Sequence, residues 1–398
     1  MSPRVSVVMA VHNGLPFLRQ AVESILHQTL GDLEFVIVDD GSQDGTWEAL
    51  QRWAATDSRI RLLRNQRNLG VAEARNRGIA AASADYLACQ DADDESHPRR
   101  LELQADFLDA HPEVGLLAAF PELVDERGVP LASDAYPRLV DNDRLQAQLL
   151  ESNCLCAGSV AFRAGVLRLV GGYDQTLAPS EDYDLWLRMA EVTHIACLPD
   201  ALYRYRQHDS SASAQQRALQ MRNKAVALER ALLRRYAGHP PTNLKRSLAK
   251  DFVRGAYLAH VAGEGSAAAE LLARASEHAP SVFVLGEVVE EVIDHYLKRE
   301  TVADPFGLAE SLFSQLFPPT THMKRLKART LGRLHMAEFF EAAEQEHPNR
   351  SEWHLLAGLR ADPRWLLNRG VWAIGLRRRL RHSGLPSAAA TIRDRGSD

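Results

Sequence analysis

The sequence predicts an α/β protein with a mostly parallel sheet and flanking helices, followed by a mainly α-helical C-terminal domain. In the first half, short β-branched runs alternate with helical patterns, as they do in right-handed βαβ units. Polar and acidic residues gather directly after several of these runs, as ligand-binding residues do at the carboxyl ends of parallel strands. Beyond about residue 215, Ala, Leu, Arg and Glu dominate with helical spacing.

The predicted strands are apolar runs that are short enough to cross a sheet once. Val5–Val11 is a continuous run rich in valine, as expected for a strand that is covered on both faces. The predicted strands, in chain order, are Val5–Val11, Leu33–Val38, Ile60–Leu63, Tyr86–Cys89, Val114–Phe120, Val160–Phe162 and Ile195–Tyr205.

Helices are predicted between these strands from apolar periodicity and from helix-start residues. The first helix begins near Pro16, because proline is well suited to the first turn of a helix. Thr46 is the predicted N-cap of the second helix. Further predicted helices are Val71–Ala82, one that starts at Pro98, and Glu181–Ala190, in which Trp186 and Leu187 are expected to be core residues.

The length of 398 residues suits two domains. A small polar stretch near Ser213 separates the alternating pattern from the helical one. We therefore predict an α/β domain over residues 1–214, a mainly helical domain over residues 215–384, and a disordered tail over residues 385–398.

Composition and charge exclude several classes of function. A net charge of −5 provides no overall attraction to nucleic acid. The four cysteines lack paired zinc-site spacing, so buried thiols in a reducing compartment are expected. We find no signal segment at the start and no apolar run of the ~18 residues that a membrane span needs. The expected location is the cytoplasm, either in solution or at the inner face of the membrane.

Polar side chains follow the first, second and fourth predicted strands. Their sequences are His12-Asn13-Gly14, Asp39-Asp40-Gly41-Ser42 and Asp91-Ala92-Asp93-Asp94. Two acidic loops in one crevice bring several carboxylates together, and their repulsion is costly without a cation. A divalent metal is therefore predicted. The dinucleotide-binding and P-loop glycine patterns are both missing, which argues against a dehydrogenase or a P-loop enzyme.

Six motifs occur in a fixed order along the first domain. They are VSVVMAVHNG, VDDGSQDGT, NLGVAEARNRG, CQDADD followed by Pro98, GGYDQTLAPSEDYDLWLRM and LYRYRQHDSSAS. Together they resemble glycosyltransferase family 2 over roughly residues 3–214. The resemblance implies a GT-A fold and an inverting, metal-dependent transfer of a sugar from a nucleotide-diphosphate sugar, with a UDP-sugar favoured. It further implies Mn²⁺ or Mg²⁺ as cofactor, and a glycan or lipid-linked glycan of the bacterial cell surface as acceptor.

The resemblance also implies roles for individual residues. The residues that resemble donor-binding positions are Val11, Asn13, Asp40, Arg75, Asp91 and Glu181. Among them, the first three match positions that hold the base and its ribose, and Arg75 matches an arginine that contacts the nucleotide.

The metal ligands and the catalytic base are implied in the same way. Asp93 and His208 resemble metal ligands, with Asp94 as a supporting or alternative contact. Asp182 resembles the catalytic base.

Several of these residues also have a purely structural interpretation, because acidic residues are common at turns and helix starts. The alternatives are helix capping for Asp40, Asp44 and Asp182, a helix-dipole contact for Asp94, an ion pair with Glu73 or with a surface carboxylate for Arg75, and a surface position for His208. The stripe Tyr203–Arg206 alternates as a strand does, so one of its faces is expected to pack.

Two other classes of function stay open at this point. A noncatalytic nucleotide-sugar-binding protein is one, since a fold can persist without its chemistry. The presence of both Asp91-Ala92-Asp93 and Glu181-Asp182 argues against it. A nucleotidyltransferase is the other, and the chain lacks the glycine- and basic-rich loop expected after its first strand.

Tryptophans, leucines and arginines mix over residues 364–381. A basic amphipathic segment of this kind is typical of peripheral contact with an anionic membrane. The alternative is a helix that packs on the catalytic domain and exposes its arginines to solvent.

Overall fold

The computed structural model describes residues 2–132, 136–281, 287–296, 302–345, 348–372 and 374. The chain divides into two compact units, Met1–Ala262 and Gly263–Asp398. The predicted tail over residues 385–398 lies outside the described residues.

The first unit is built on a mixed sheet that has eight strands in the described residues. The strands are β1 (Val5–Val11), β2 (Leu33–Asp39), β3 (Ile60–Arg64), β4 (Tyr86–Asp91), β5 (Glu95–Ser96), β6 (Val114–Val124), β7 (Ala161–Arg163) and β8 (His194–Arg206). Their order is β3-β2-β1-β4-β7-β6-β8-β5. The strands from β3 to β4 are parallel, β7 is antiparallel to both of its neighbours, and β5 is antiparallel to β8. The predicted α/β class is confirmed.

Helices flank this sheet and extend beyond it. The helices of the first unit are α1 (Leu15–Leu26), α2 (Thr46–Ala54), α3 (Val71–Ala81), α4 (Arg100–Ala110), α5 (Asn142–Leu149), α6 (Ala164–Val170), α7 (Glu181–Met189), α8 (Ala212–Gln215), α9 (Arg217–Arg235) and α10 (Thr242–Val261). Short 3₁₀ turns occupy Ala157–Ser159 and Gln175–Leu177.

Both faces of β1 are buried, which explains its continuous apolar sequence. On one face, Val7 and Met9 share a core with α1, where Leu18 is buried. On the other face, α3 lies close to β1 at Gly78, where an added Cβ would be 2.6 Å from Val8 Cγ1. The glycine therefore allows the helix to approach the strand.

Two helix starts differ from the prediction. Thr46 is the first residue of α2 rather than its N-cap, which is Gly45 with a φ of 96°. The Thr46 hydroxyl accepts instead from the Gly14 N–H at 2.9 Å, because the turn after β1 lies against this helix. The helix predicted to start at Pro98 begins at Arg100.

The helices α9 and α10 belong to the first unit. They pack against each other, and α9 also packs against α7. The domains predicted at residues 1–214 and 215–384 stay a prediction, because compactness alone does not test where a functional domain ends.

The second unit confirms the predicted helical C-terminal region. Its helices within the described residues are α11 (Gly265–His278), α12 (Glu287–Tyr296), α13 (Pro305–Ser311), α14 (Thr321–Glu344) and α15 (Pro348–Ala361). A small core there contains Met336, Phe339 and Val371, and Trp365 packs against it. Among the described residues, no helix combines the length and the apolar content that crossing a membrane requires.

Candidate active site

The carboxyl ends of β2, β1 and β4 are neighbours in the sheet and hold the predicted polar loops. The Asp40 N–H donates to the Val11 carbonyl at 2.8 Å, which joins the ends of β1 and β2. Gly14 lies beside the acidic loop after β4, because a Cβ added to it would be 3.8 Å from the Cβ of Ala92. The fold therefore brings all three loops to one edge of the sheet.

Asn13 is fixed in the turn after β1. Its φ is 53°, a left-handed conformation that asparagine tolerates better than most residues. Its N–H donates to Ser42 Oγ and its Oδ1 accepts from the Gln43 N–H, both at 2.9 Å. The predicted donor-binding residues Val11 and Asn13 thus lie at the last residue of β1 and in the turn that follows it.

Asp40 is buried and holds the turn before α3. Its carboxylate accepts from the N–H groups of Leu69 and Gly70, both at 2.9 Å, and from Asn65 Nδ2 at 2.7 Å. A carboxylate has about four acceptor positions, and these donors occupy three of those of Asp40. It therefore does not cap α2, whose N-cap is Gly45. Asp44, one residue earlier, accepts from the Thr46 N–H.

Arg75 connects the end of β4 to the start of α7. Its guanidinium donates to Asp91 Oδ1 at 2.6 Å and to Glu181 Oε1 at 2.9 Å. Burial opposes its charge, but the interactions with Asp91, Tyr173 and Glu181 outweigh burial and raise the pKa of Arg75 well above its usual value. The alternative ion pair with Glu73 is wrong, since Glu73 accepts from Gln175 instead.

The pair Glu181 and Asp182 begins α7. Burial raises the pKa of Glu181 to about 7, although the Arg75 charge opposes this shift. Burial also raises the pKa of Asp182, whose Oδ2 accepts from Asn153 Nδ2 at 3.0 Å. The N-cap of α7 is Ser180, and Asp182 lies in the first turn, where the Tyr183 backbone N–H also favours its ionised form. A carboxylate with a raised pKa is suited to accept a proton near neutral pH.

The side chain of Asp93, in the acidic loop after β4, contacts that of His208, which follows β8. Asp93 Oδ2 lies 3.0 Å from His208 Nε2. The His208 side chain is only 6% exposed, and its ring packs against Phe17 at 4.7 Å between centroids. The interpretation of His208 as a surface histidine is therefore wrong.

The donor atoms of Asp93 and His208 suit a divalent cation. Carboxylate oxygen and imidazole nitrogen are both ligands for Mn²⁺, and Mg²⁺ commonly takes one or two carboxylates together with substrate phosphates. Within the described part of the chain, no group of three His, Cys, Asp or Glu residues is placed to hold a metal. Asp93 and His208 present one carboxylate oxygen and one imidazole nitrogen of these kinds.

Asp94 is buried rather than placed at a helix start. Its Oδ1 accepts from the Arg206 N–H at 2.7 Å, and α4 begins only at Arg100, so the helix-dipole interpretation is wrong. Burial, with the charges of Asp93 and Asp91, raises the pKa of Asp94 well above its usual range. Asp94 thus anchors the acidic loop to β8.

Arg206 holds the same loop and was not predicted. Its side chain donates to the Asp93 carbonyl at 2.9 Å and to Glu95 Oε1 at 2.5 Å, and it stacks over Phe17 at 5.0 Å. It lies in the stripe Tyr203–Arg206, one face of which is expected to pack. The sequence shows the strand-like alternation of this stripe, but it does not show that Arg206 contacts Asp93 and Glu95.

The segment from Asn153 to the turn Ala157–Ser159 forms another wall of the site, also unpredicted. A Cβ added to Gly158 would lie 1.9 Å from Tyr203 Oη and 2.8 Å from Asp91 Oδ2. The Tyr203 hydroxyl accepts from the Asp91 N–H at 3.1 Å. A residue without a side chain is therefore needed at Gly158 for Tyr203 and Asp91 to meet.

Comparison with known proteins indicates one family. The family described as Glycosyl transferase family 2 matches residues 6–169. The Bacillus subtilis (strain 168) protein "Putative glycosyltransferase EpsE" is 36% identical over 214 residues, which are 53% of this chain and 75% of that protein. The chain belongs to glycosyltransferase family 2.

Other similarities extend this comparison. A Haemophilus influenzae protein described as an uncharacterized glycosyltransferase is 30% identical over 225 residues, covering 53% of this chain and 68% of that protein. The crystal structure of S. aureus TarS 1-349 in complex with UDP aligns at a TM-score of 0.49 and 16% identity, over 91% of this chain and 92% of that one.

The mixed sheet, the flanking helices and the helical C-terminal region confirm the GT-A fold class of this family 2 glycosyltransferase. The family match ends at residue 169, before Glu181, Asp182 and His208. The roles of these three residues therefore rest on the geometry of the site and on the motifs in which they stand.

Proposed function

We propose that this family 2 glycosyltransferase moves a sugar from a nucleotide-diphosphate sugar, preferably a UDP-sugar, to an acceptor hydroxyl with inversion. The bridge from Asp91 through Arg75 to Glu181 is the observation that carries the proposal. It fixes the proposed base Asp182, the neighbour of Glu181, relative to the acidic loop that receives the donor.

The turn after β1 and the buried Asp40 form the proposed binding site for the base and the ribose of the donor nucleotide. Asp93 and His208 lie where a donor diphosphate would complete a cation site. A bound Mn²⁺ or Mg²⁺ would supply positive charge that stabilises the departing nucleotide diphosphate. Arg75 keeps Asp91 and Glu181 in place during donor binding.

Asp182 is the proposed general base. The acceptor oxygen forms a bond to the anomeric carbon while the bond from that carbon to the diphosphate breaks, and the nucleotide diphosphate leaves with the electron pair. The acceptor proton passes to the Asp182 carboxylate, whose raised pKa suits this transfer. A single displacement inverts the anomeric centre.

The test is a donor panel. The purified protein is incubated with UDP-, GDP- and dTDP-sugars, with Mn²⁺ or with EDTA, and released nucleotide diphosphate and bound nucleotide are both measured. Release from one donor that requires metal supports the proposal and identifies the nucleotide and the sugar. Binding without release, even when glycan acceptors are supplied, would indicate a noncatalytic nucleotide-sugar-binding protein instead.

We also propose that the acceptor is a cell-surface glycan or a lipid-linked glycan. In this proposal, the second unit contacts the membrane at which that acceptor lies. The described part of segment 364–381 is not one amphipathic helix, since Pro363–Leu367 forms a 3₁₀ turn. Leu366, Leu367 and Trp372 are exposed, and Leu367 is 85% exposed. Residues 373 and 375–381 of the predicted segment lie outside the described residues.

Replacing Leu367 and Trp372 with serine is expected to lower binding to anionic vesicles several-fold, because both apolar side chains face solvent. Flotation with phosphatidylglycerol-containing vesicles measures the bound fraction. Leu169→Ser is the matched control, since Leu169 is a 71% exposed leucine of the first unit. Equal flotation of the double variant and the wild type would contradict membrane contact through this surface.

A further inference from the structure

Asn153 is a polar contact of the proposed base that no motif indicates. It lies in the segment between α5 and the turn Ala157–Ser159, and its Nδ2 donates to Asp182 Oδ2 at 3.0 Å. Both residues are half-buried, so a ligand can still reach this contact. A hydrogen bond to an ionised carboxylate is stronger than one between neutral groups.

The orientation of the Asn153 amide is set by the backbone. Its Oδ1 accepts from the Leu155 N–H at 3.3 Å, which requires the Nδ2 group to face Asp182. The amide therefore acts as a donor toward the carboxylate and not as an acceptor. This distinction allows the donor role to be tested separately from the local loop structure.

The segment that carries Asn153 is anchored at both ends. At its start, the Tyr183 hydroxyl donates to the Leu149 carbonyl, so the residue after Asp182 holds the end of α5. At its other end, Gly158 packs against Tyr203 and Asp91. Asn153 is thus fixed relative to both the proposed base and the donor loop.

We propose that Asn153 is a positioning residue that engages Oδ2 of Asp182 and thereby presents the other carboxylate oxygen to the acceptor hydroxyl. The inference rests on the proposed function of Asp182 as general base. Asn153 does not exchange a proton itself. It holds the carboxylate in one orientation and stabilises its ionised form, so the base is deprotonated and aimed before the acceptor arrives.

Asp182 also interacts with other charged and titratable groups. These are Arg75 on α3, Asp91 at the end of β4, Glu181 and Tyr183 on α7, and Tyr136 in the segment after β6. Arg75 favours the ionised form of Asp182, and Asp91 opposes it. Loss of the Asn153 donor removes one of the groups that favour ionisation, so the pKa of Asp182 should rise further.

Asn153→Asp tests the donor role most directly. Aspartate retains an oxygen that can accept from the Leu155 N–H, but it replaces the donor with a second carboxylate beside Asp182. We expect the acid limb of the kcat pH profile to move up by about one pH unit or more, because two adjacent carboxylates resist ionising together. At neutral pH, kcat should fall on the order of tenfold to a hundredfold, while the KM for the donor stays nearly constant.

Two further variants complete the experiment. Asn153→Ala removes the donor without adding charge and should shift the acid limb in the same direction by a smaller amount. Ser152→Ala is the matched control, since Ser152 lies in the same segment and its hydroxyl accepts from Gln148 Nε2 of α5. It should leave the profile unchanged. Thermal melting confirms that each variant is folded before its kinetics are compared.

The double variant separates a failure of this inference from a failure of the proposed function. If Asn153 acts through Asp182, Asn153→Asp should cause no further loss in an Asp182→Asn background. Wild-type pH profiles in both folded Asn153 variants, or additive losses in the double variant, would overturn the positioning role. Wild-type turnover in Asp182→Asn alone would overturn the proposed base itself.

Discussion

Asp182→Asn is expected to lower turnover by about 10²–10⁴-fold, the usual contribution of a general base. An amide cannot accept the acceptor proton at neutral pH, whereas the carboxylate with its raised pKa can. Asparagine preserves the size of the side chain and leaves the Arg75 bridge to Asp91 and Glu181 unchanged. Binding of the nucleotide diphosphate should therefore remain nearly intact.

Steady-state release of nucleotide diphosphate and calorimetric nucleotide binding measure the two effects in the same preparations. Asp32→Asn serves as the control, because Asp32 is an exposed carboxylate that precedes β2, at the opposite end of that strand from the site. It should behave as the wild type in both assays. Unchanged turnover in Asp182→Asn would remove the base assignment, and a parallel loss of nucleotide binding would indicate a structural role instead.

Asp93→Ala is expected to abolish the metal-dependent part of donor binding. Asp93 and His208 are the proposed protein ligands of the cation, and the substitution leaves the imidazole without its carboxylate partner. A cation bound by one imidazole and a diphosphate has lost its only anionic protein ligand, so its affinity should fall steeply.

Titration of the protein with the nucleotide diphosphate, once in the presence of Mn²⁺ and once in the presence of EDTA, tests this expectation. The wild-type protein should bind the nucleotide diphosphate more tightly with Mn²⁺ than with EDTA. Asp93→Ala should bind it equally weakly in both conditions, with the affinity that the wild type has in EDTA. Glu126→Ala, which removes an exposed carboxylate after β6, should retain the metal effect. A full Mn²⁺ effect in Asp93→Ala would exclude Asp93 as a ligand.

Local sequence was sufficient for the elements that position the site. The runs that form β1 and β2 were predicted to within one residue, because strands buried on both faces require continuous apolar side chains. The helical spacing after Ser180 predicted α7 equally well. The polar motifs after β1, β2 and β4 lie at one sheet edge, since parallel strands all end at that edge.

Other features had no local signal. Thr46 and Asp94 stand in sequences typical of a helix cap and a helix start, but tertiary contacts determine where their side chains point. Asn153 lies in a segment with no periodicity, so nothing in the sequence links it to a carboxylate 29 residues later.

The sequence by itself determined the fold class, the family and the chemical types at the site, because these depend on short apolar runs and local motifs. Only the tertiary structure decided which side chains meet. Strand β8 pairs in parallel with β6 and antiparallel with β5, and this pairing brings His208 to Asp93, 115 residues earlier in the chain. Contacts over such separations depend on sheet order, which local periodicity does not encode.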